Sequence, residues 1–131
     1  MGTATRVLLV DDDESGRQWL DSSLRSYSDV EVVGQATNGE QAISMAETLQ
    51  PQVILMDIRM PRMDGVAATR IIKTRFPDII VIGVSAHPQG YNLDAMQKAG
   101  TFQILIKGSS VEDLYGAIRS AALESQHRKE Q

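Results

Sequence analysis

Short apolar runs alternate with amphipathic stretches from one end of the 131-residue chain to the other, and this alternation constrains the fold more than any other feature. The runs are rich in Val, Ile and Leu, as the buried strands of parallel sheets are. We predict strands at 6–10, 30–36, 53–57, 79–84 and 104–106. Because a helical stretch follows each strand, the sequence predicts an α/β fold whose right-handed crossovers cover both faces of a parallel sheet.

Polar residues stand where the predicted helices should begin. Asn38, with Gln41 as its reciprocal partner three residues on, can cap the second helix. Asp64 can cap the third, and Ser110 with Asp113 resembles another capping box before the fifth. The first four helices are predicted at 14–27, 39–50, 65–75 and 93–99.

The length of the chain suits one domain with its own hydrophobic core. We expect that domain at 1–124, with 125–131 as a polar C-terminal tail or the start of a linker. The sequence has no cysteine, which excludes disulfides and thiolate metal sites. It has neither a membrane-length apolar stretch nor a signal-peptide pattern, so we expect a cytoplasmic protein without membrane contact. A net charge of -4 argues against direct nucleic-acid binding.

Acidic side chains directly follow or end two of the predicted strands. Asp11 and Asp12 come after the first strand, and Asp57 ends the third. Because the carboxyl ends of parallel strands share one rim, we expect these carboxylates to lie together. Each like-charge pair at about 4 Å costs roughly 1 kcal/mol in water, so a divalent cation or a raised pKa must offset the repulsion. An all-oxygen ligand set without His or Cys favours Mg²⁺, Mn²⁺ or Ca²⁺ over zinc. Because two or three carboxylates leave room for waters and a phosphoryl oxygen, we expect Mg²⁺, with Mn²⁺ as a substitute.

Two further strand ends add a hydroxyl and an ammonium group to this rim. Ser85 follows the fourth strand and Lys107 follows the fifth. A carboxylate surrounded by a metal, a lysine and a hydroxyl is suited to carrying a phosphoryl group, because these partners neutralise or bond the phosphoryl oxygens. Asp57 is therefore our candidate for the nucleophile that accepts the phosphoryl group.

These residues stand in longer motifs that resemble the receiver domains of bacterial two-component response regulators, over nearly the whole chain. The motifs are Val-Asp-Asp-Asp-Glu at 10–14, Met-Asp-Ile-Arg-Met-Pro-Arg-Met-Asp-Gly at 56–65, Val-Ser-Ala at 84–86, and Ala-Gly at 99–100 with Lys107. Each motif is a weak signal alone, but their order and spacing together are highly specific. The resemblance implies a flavodoxin-like (βα)5 three-layer sandwich with strand order 2-1-3-4-5.

The resemblance implies a signalling domain in a phosphorelay, which catalyses only its own phosphorylation and dephosphorylation. A sensor histidine kinase or a phosphotransfer domain would supply the phosphoryl group from a phosphohistidine to Asp57. Mg²⁺ would be bound by Asp12, Asp57 and the backbone carbonyl of Arg59, with Asp11 reaching it through water.

By the same resemblance, Ser85 would be the switch hydroxyl and Lys107 would pair with a phosphoryl oxygen. The surface formed by the fourth helix, the fifth strand and the fifth helix would then change its partners, a homodimer included. The chain departs from the family pattern at Ile104, where Tyr or Phe is usual, and at Gly108, where proline is frequent. Its last third resembles the receivers of helix-turn-helix regulators and those that close hybrid sensor histidine kinases; Ile104 slightly favours the second group.

The sequence leaves two alternative functions open and adds one hypothesis within the receiver interpretation. The acidic motif after the first strand also fits a haloacid-dehalogenase-type phosphatase, with Asp11 as nucleophile and Asp13 as general acid. A second alternative is an interaction module that has the receiver fold and does not depend on phosphorylation. Within the receiver interpretation, we expect Arg59 and His87 to flank the phosphoryl group and to tune its hydrolysis through water access.

Overall fold

The computed structural model describes residues 3–60, 62–86 and 90–130, in which five strands alternate with five helices. The strands are β1 (Thr5–Val10), β2 (Val30–Ala36), β3 (Val53–Asp57), β4 (Ile80–Ser85) and β5 (Gln103–Ile106). The helices are α1 (Glu14–Leu24), α2 (Gly39–Leu49), α3 (Gly65–Arg75), α4 (Gly90–Ala99) and α5 (Val111–Lys129). The predicted strands are confirmed, and their ends differ from the prediction by at most one residue.

The strands form one parallel sheet in the order β2-β1-β3-β4-β5, which confirms the flavodoxin-like architecture. β1 and β3 are neighbours near the centre of the sheet, where Val10 pairs with Met56. One residue further along, Asp57 pairs with Val84 of β4. The register therefore places the residues that end or follow β1, β3, β4 and β5 along a single rim.

The core has two parts, one on each face of the sheet, because successive residues of a strand point to opposite faces. Leu8 and Val10 of β1 belong to the cluster that packs under α2, α3 and α4. Val7 and Leu9 belong to the cluster under α1 and α5. Every residue of β3 is buried, as expected of a strand covered on both faces. The predicted three-layer arrangement is thus confirmed.

Side-chain caps begin three of the helices as predicted, with one difference in detail. Asn38, Asp64 and Ser110 each accept the backbone N–H three residues on, at 2.9, 2.9 and 3.1 Å. The side chain of Gln41, however, accepts from the N–H and the hydroxyl of Thr37, both at 2.8 Å. The prediction that Gln41 reaches back to Asn38 was wrong, because the Thr37 hydroxyl adds a second donor one residue earlier.

Contacts between distant residues move the ends of two other helices. α1 ends at Leu24 instead of Tyr27, since the Tyr27 ring stacks on Tyr115 of α5 with centroids 3.8 Å apart. α5 continues to Lys129, whereas the sequence predicted a polar tail after Glu124. Arg128 explains the extension, because it pairs with Glu124 at 3.0 Å and donates to the Pro77 carbonyl at 2.8 Å. Neither this long helix nor any other in the described ranges has the length and hydropathy of a membrane span.

Candidate functional site

Three carboxylates meet at the C-terminal rim of the sheet, as the strand ends predicted. Asp11, Asp12 and Asp57 each bring one oxygen within 4.8 Å of the other two. Asp11 and Asp57 are 6% and 3% exposed, and Asp12 is open to solvent. Oxygen ligands without nitrogen or sulfur suit a hard divalent cation, so the donor set fits the metal that the sequence implied. These residues could therefore hold a metal ion.

Both oxygens of the Asp57 carboxylate have partners. Oδ1 accepts the backbone N–H of Arg59 at 3.2 Å, and Oδ2 accepts from Lys107 Nζ at 3.1 Å. The same ammonium lies 3.8 Å from Asp11 Oδ2. Lys107 therefore connects two buried carboxylates at the rim where its place after β5 predicted a positive charge.

The pKa of Asp57 is raised to about 6, because burial disfavours the charged carboxylate and the negative charge of Asp11 adds to this effect. The hydrogen bond and charge of Lys107, together with the Arg59 N–H, act in the opposite direction but are outweighed. For Lys107, desolvation lowers the pKa, yet the hydrogen bond to Asp57 and the charges of Asp57, Asp11 and Asp12 raise it overall. The single charge of Lys107 is thus too small to balance the acidic cluster, and an added cation would reduce the repulsion between the carboxylates.

Backbone hydrogen bonds fix the strand ends that carry Ser85 and Lys107. The Lys107 N–H donates to the Ser85 carbonyl at 2.8 Å, which extends the β4–β5 pairing by one residue. Ser85 itself is buried at the rim. Beyond Lys107 the chain turns sharply, since Gly108 has a φ of +89° and the Ser109 N–H returns to the Ile106 carbonyl at 3.1 Å. A left-handed φ is open to glycine and closed to proline, whose ring holds φ near −65°.

The loop between β1 and α1 is also held at several points. The Asp11 N–H donates to the Ala36 carbonyl of β2 at 3.1 Å. Asp11 Oδ1 accepts the Asp13 N–H at 2.9 Å, and Asp13 Oδ2 caps α1 by accepting the Gly16 N–H at 3.1 Å. Arg17, which the sequence did not single out, donates from α1 to the Asp11 carbonyl at 2.7 Å. An arginine one turn into a helix after an acidic loop was the signal that could have found it.

The first residue of α3 lies against the Asp57 backbone and must be a glycine. The Gly65 N–H donates to the Ile58 carbonyl at 2.8 Å. A Cβ atom on Gly65 would lie 2.2 Å from the Asp57 carbonyl oxygen, well inside van der Waals contact. This close approach brings the start of α3 against the strand end that carries the Asp57 carboxylate.

An apolar hollow of about 200 Å³ adjoins the acidic cluster, between α1 and the loop after β5. Trp19 and Ile106 line it and are 51% and 55% exposed. Asp11 and Lys107 stand at its polar end. Ile104, at the position where receivers usually have an aromatic residue, instead packs partly buried against the core cluster under α4.

The structure therefore brings together Asp11, Asp12, Asp57 and Lys107, with Ser85 buried on the same rim. Arg59 contacts Asp57 through its N–H; the role proposed for its carbonyl stays a prediction. His87 and Pro61, which the sequence analysis also named, lie outside the described residues.

The phosphatase alternative assigned the nucleophile to Asp11 and the general acid to Asp13. In the structure the Asp13 carboxylate instead caps α1, and Asp11 Oδ1 accepts the Asp13 N–H. These contacts engage the Asp13 carboxylate and one oxygen of Asp11 in shaping the loop, whereas Asp57 Oδ2 accepts directly from Lys107. The geometry therefore favours Asp57 over Asp11 as the candidate nucleophile.

Comparison with known proteins agrees with this geometry. The sequence matches the response regulator receiver domain family over residues 7–119. It is 38% identical to the response regulator protein VraR of Staphylococcus aureus over 117 residues, which are 89% of this chain and 56% of that protein. The chain thus spans about half the length of the curated relatives it matches.

Two solved structures have the same fold. The response regulator domain of Thermotoga maritima CheB is 31% identical, with a TM-score of 0.84 over 90% of this chain and 96% of that one. The signal receiver domain of the Mycobacterium tuberculosis regulator NarL is 27% identical, with a TM-score of 0.86 over 92% and 98%. With the acidic rim and its lysine, these matches show that the chain belongs to the response regulator receiver domains, which are signalling domains of two-component systems and not classical enzymes.

Proposed function

We propose that this receiver accepts a phosphoryl group on Asp57, in an Mg²⁺-dependent transfer from the phosphohistidine of a sensor histidine kinase or a phosphotransfer domain. The observation that carries the proposal is the position of Asp57, a buried carboxylate inside an acidic trio with Lys107 Nζ 3.1 Å from its Oδ2. A cytoplasmic location goes with such partners, and Mn²⁺ is the expected substitute for Mg²⁺.

The carboxylates of Asp11, Asp12 and Asp57 and the carbonyl of Arg59 are the groups that would hold Mg²⁺. When bound, the cation supplies charge that stabilises the phosphoryl oxygens during transfer. An Asp57 oxygen forms a bond to phosphorus as the bond to the donor imidazole nitrogen breaks, so one carboxylate is converted into an acyl phosphate. Lys107 compensates the negative charge that the phosphoryl group brings into the buried site.

The residues around Asp57 are also suited to transmitting its phosphorylation to the surface of the domain. A phosphoryl group on Asp57 offers oxygens to Lys107 and to the hydroxyl of Ser85, whose loops follow β5 and β4. We infer that these loops shift and that the surface of α4, β5 and α5 then exchanges its partners, with a homodimer as one outcome. Arg59 is exposed beside Asp57 and is our candidate for limiting the access of hydrolytic water.

The proposal is tested by mass spectrometry after incubation with acetyl phosphate. The wild-type protein should gain one phosphoryl group in the presence of Mg²⁺ and none in EDTA, because the acidic site needs the cation to bind a dianionic donor. Asp57→Asn should gain none. Asp78→Asn, which alters an exposed aspartate away from the rim, should behave as wild type.

Peptide mapping of the product separates the alternatives. Phosphate found on Asp57 supports the receiver mechanism, whereas phosphate on Asp11 would support the phosphatase chemistry. Uptake without a divalent cation, or uptake by Asp57→Asn, would contradict the proposal. Failure of the wild-type protein to take up phosphate from acetyl phosphate and from histidine kinases would favour the phosphorylation-independent interaction module.

A further inference from the structure

Arg17 connects α1 to the backbone of the acidic loop. Its NH1 group donates to the Asp11 carbonyl at 2.7 Å, which is the shortest side-chain contact to this loop among the described residues. The backbone N–H of Arg17 donates to the Asp13 carbonyl at 3.0 Å. The same residue therefore makes the first backbone hydrogen bond of α1 and binds the preceding loop through its side chain. Arg17 is part-buried, and none of the hydrogen bonds described for it goes to a carboxylate.

A second contact fixes the guanidinium group from the neighbouring strand. Arg17 Nε donates to Gln35 Oε1 of β2 at 3.3 Å, and Gln35 Nε2 donates in turn to Asp21 Oδ2 at 3.4 Å. The Asp11 N–H is bound to Ala36, the next residue of the same strand. Both the amide and the carbonyl of Asp11 are therefore held relative to β2, one directly and one through Arg17.

We propose that Arg17 is a positioning residue for the cation site, and that Gln35 keeps its guanidinium group in place. This inference rests on the proposed function, since it assumes that Asp11 and Asp12 bind the cation. One oxygen of the Asp11 carboxylate accepts the Asp13 N–H, so the orientation of the carboxylate depends on the shape of the loop. Mutating groups that orient metal ligands without touching the metal typically lowers metal affinity about 10- to 100-fold.

Charge and position predict opposite effects for the loss of Arg17. If charge were all that mattered, removing the positive charge bound to the backbone of the acidic loop would strengthen the attraction of the site for Mg²⁺. Releasing the Asp11 carbonyl frees the loop and weakens binding, because the ligands must then be ordered when the ion arrives. The sign of the change in Mg²⁺ affinity therefore distinguishes a positioning role from a simple electrostatic one.

The experiment is a titration of the unphosphorylated protein with Mg²⁺, followed by the NMR shifts of the backbone amides of 11–13. Arg17→Gln should raise the dissociation constant for Mg²⁺ at least about tenfold. Gln35→Ala leaves every charge in place and should raise it less, in the same direction. Arg17→Lys, which retains the charge and one donor group, should fall between wild type and Arg17→Gln.

Arg6→Gln is the matched control. Arg6 also donates to backbone carbonyls, those of Gln50 and Leu49 at 2.8 and 2.6 Å, but it lies at the opposite end of β1. This variant should lose stability towards urea and keep the wild-type affinity for Mg²⁺. A loss of affinity in Arg6→Gln equal to that in Arg17→Gln would mean that both act through general stability, and would overturn the inference.

An unchanged or lower dissociation constant in folded Arg17→Gln would also overturn it. If that variant does not fold, Gln35→Ala decides, and wild-type affinity in Gln35→Ala counts against the inference. When the wild-type protein binds Mg²⁺ and takes up phosphate but these variants match it, only the role of Arg17 is refuted. A wild-type protein that does not bind Mg²⁺ would refute both the inference and the proposed function.

Discussion

Lys107 Nζ lies 3.1 Å from an oxygen of Asp57 and 3.8 Å from one of Asp11, so a single ammonium group is shared by two buried carboxylates. One positive charge cannot balance both of them and the exposed Asp12 as well. The consequence is visible in the pKa of Asp57, which burial and Asp11 raise to about 6 in spite of the lysine. A further cation at the three carboxylates would offset this excess of negative charge.

Lys107→Met should raise the pKa of Asp57 above about 6, because the variant removes the hydrogen bond and the positive charge that oppose the effect of burial. The measurement is an NMR titration of the Asp57 side-chain carboxyl carbon in EDTA. Lys98→Met, at the exposed C-terminal end of α4, should leave the titration unchanged. A pKa in Lys107→Met equal to or below that of wild type would show that the lysine does not stabilise the carboxylate.

The stability of the metal-free protein should depend on pH through Asp57. A carboxyl group whose pKa rises from 3.8 to about 6 on folding binds more protons in the folded state. Its stabilising contribution is therefore greatest below about 3.8 and is lost as the pH rises through about 6. At pH 7 the penalty amounts to at most about 3 kcal/mol, from roughly 1.4 kcal/mol per pH unit.

Asp57→Asn removes this titration, so at pH 7 it should be more stable than wild type, by at most that amount. The difference in unfolding free energy between the two proteins should shrink as the pH falls from about 6 to about 4. Urea denaturation in EDTA across this range provides the measurement. A difference that is constant with pH would contradict the raised pKa.

Mg²⁺ should stabilise the folded protein by mass action, since the three carboxylates meet only in the folded state. At a concentration 100 times the dissociation constant, the gain should be about 2.7 kcal/mol, and EDTA should reverse it. Asp12→Ala removes an exposed ligand without opening the core, and it should lose most of the gain. The same increase in Tm for Asp12→Ala and wild type, at matched ionic strength, would place the cation elsewhere.

Gly65→Ala should destabilise the domain by about 1 to 3 kcal/mol or more, as overpacked cores do. The alanine Cβ would lie 2.2 Å from the Asp57 carbonyl oxygen and 2.8 Å from Ile58 Cα. These are backbone atoms, which cannot move away as the end of a flexible side chain can. Gly116→Ala is the control, because the space around Gly116 in α5 is open and alanine should stabilise the helix by up to about 1 kcal/mol. Urea denaturation of both variants checks the opposite signs; equal stability of Gly65→Ala and wild type would contradict the close approach.

The strands could be predicted from the sequence because each is an apolar run that ends at a polar residue. β2 and β3 have the predicted bounds, and the strand order followed from the family resemblance. Helix ends were less predictable. Tyr27 leaves α1 to stack on Tyr115, and Arg128 extends α5 by reaching Pro77, and both contacts join residues far apart in the chain. Such contacts exist only once the layers have packed.

Part of the candidate site could also be predicted, because its residues stand at the ends of the apolar strands. Asp11, Asp57 and Lys107 are strand-end residues, and parallel pairing alone brings strand ends to one rim. Arg17 gave a weaker signal, because an arginine one turn into a helix after an acidic loop more often faces solvent than binds the loop. Its contact with the Asp11 carbonyl depends on how the intervening loop closes, which periodicity does not specify.

The apolar hollow beside the acidic cluster contains an intrinsic fluorophore. Trp19 is the single tryptophan of the chain, and its half-exposed indole lines the hollow whose polar end is formed by Asp11 and Lys107. Any change in tryptophan fluorescence therefore comes from one side chain, in a pocket that Asp11 and Lys107 also line. We expect cation binding and phosphoryl transfer to change this fluorescence, so stopped-flow measurements on the unlabelled protein would time both events.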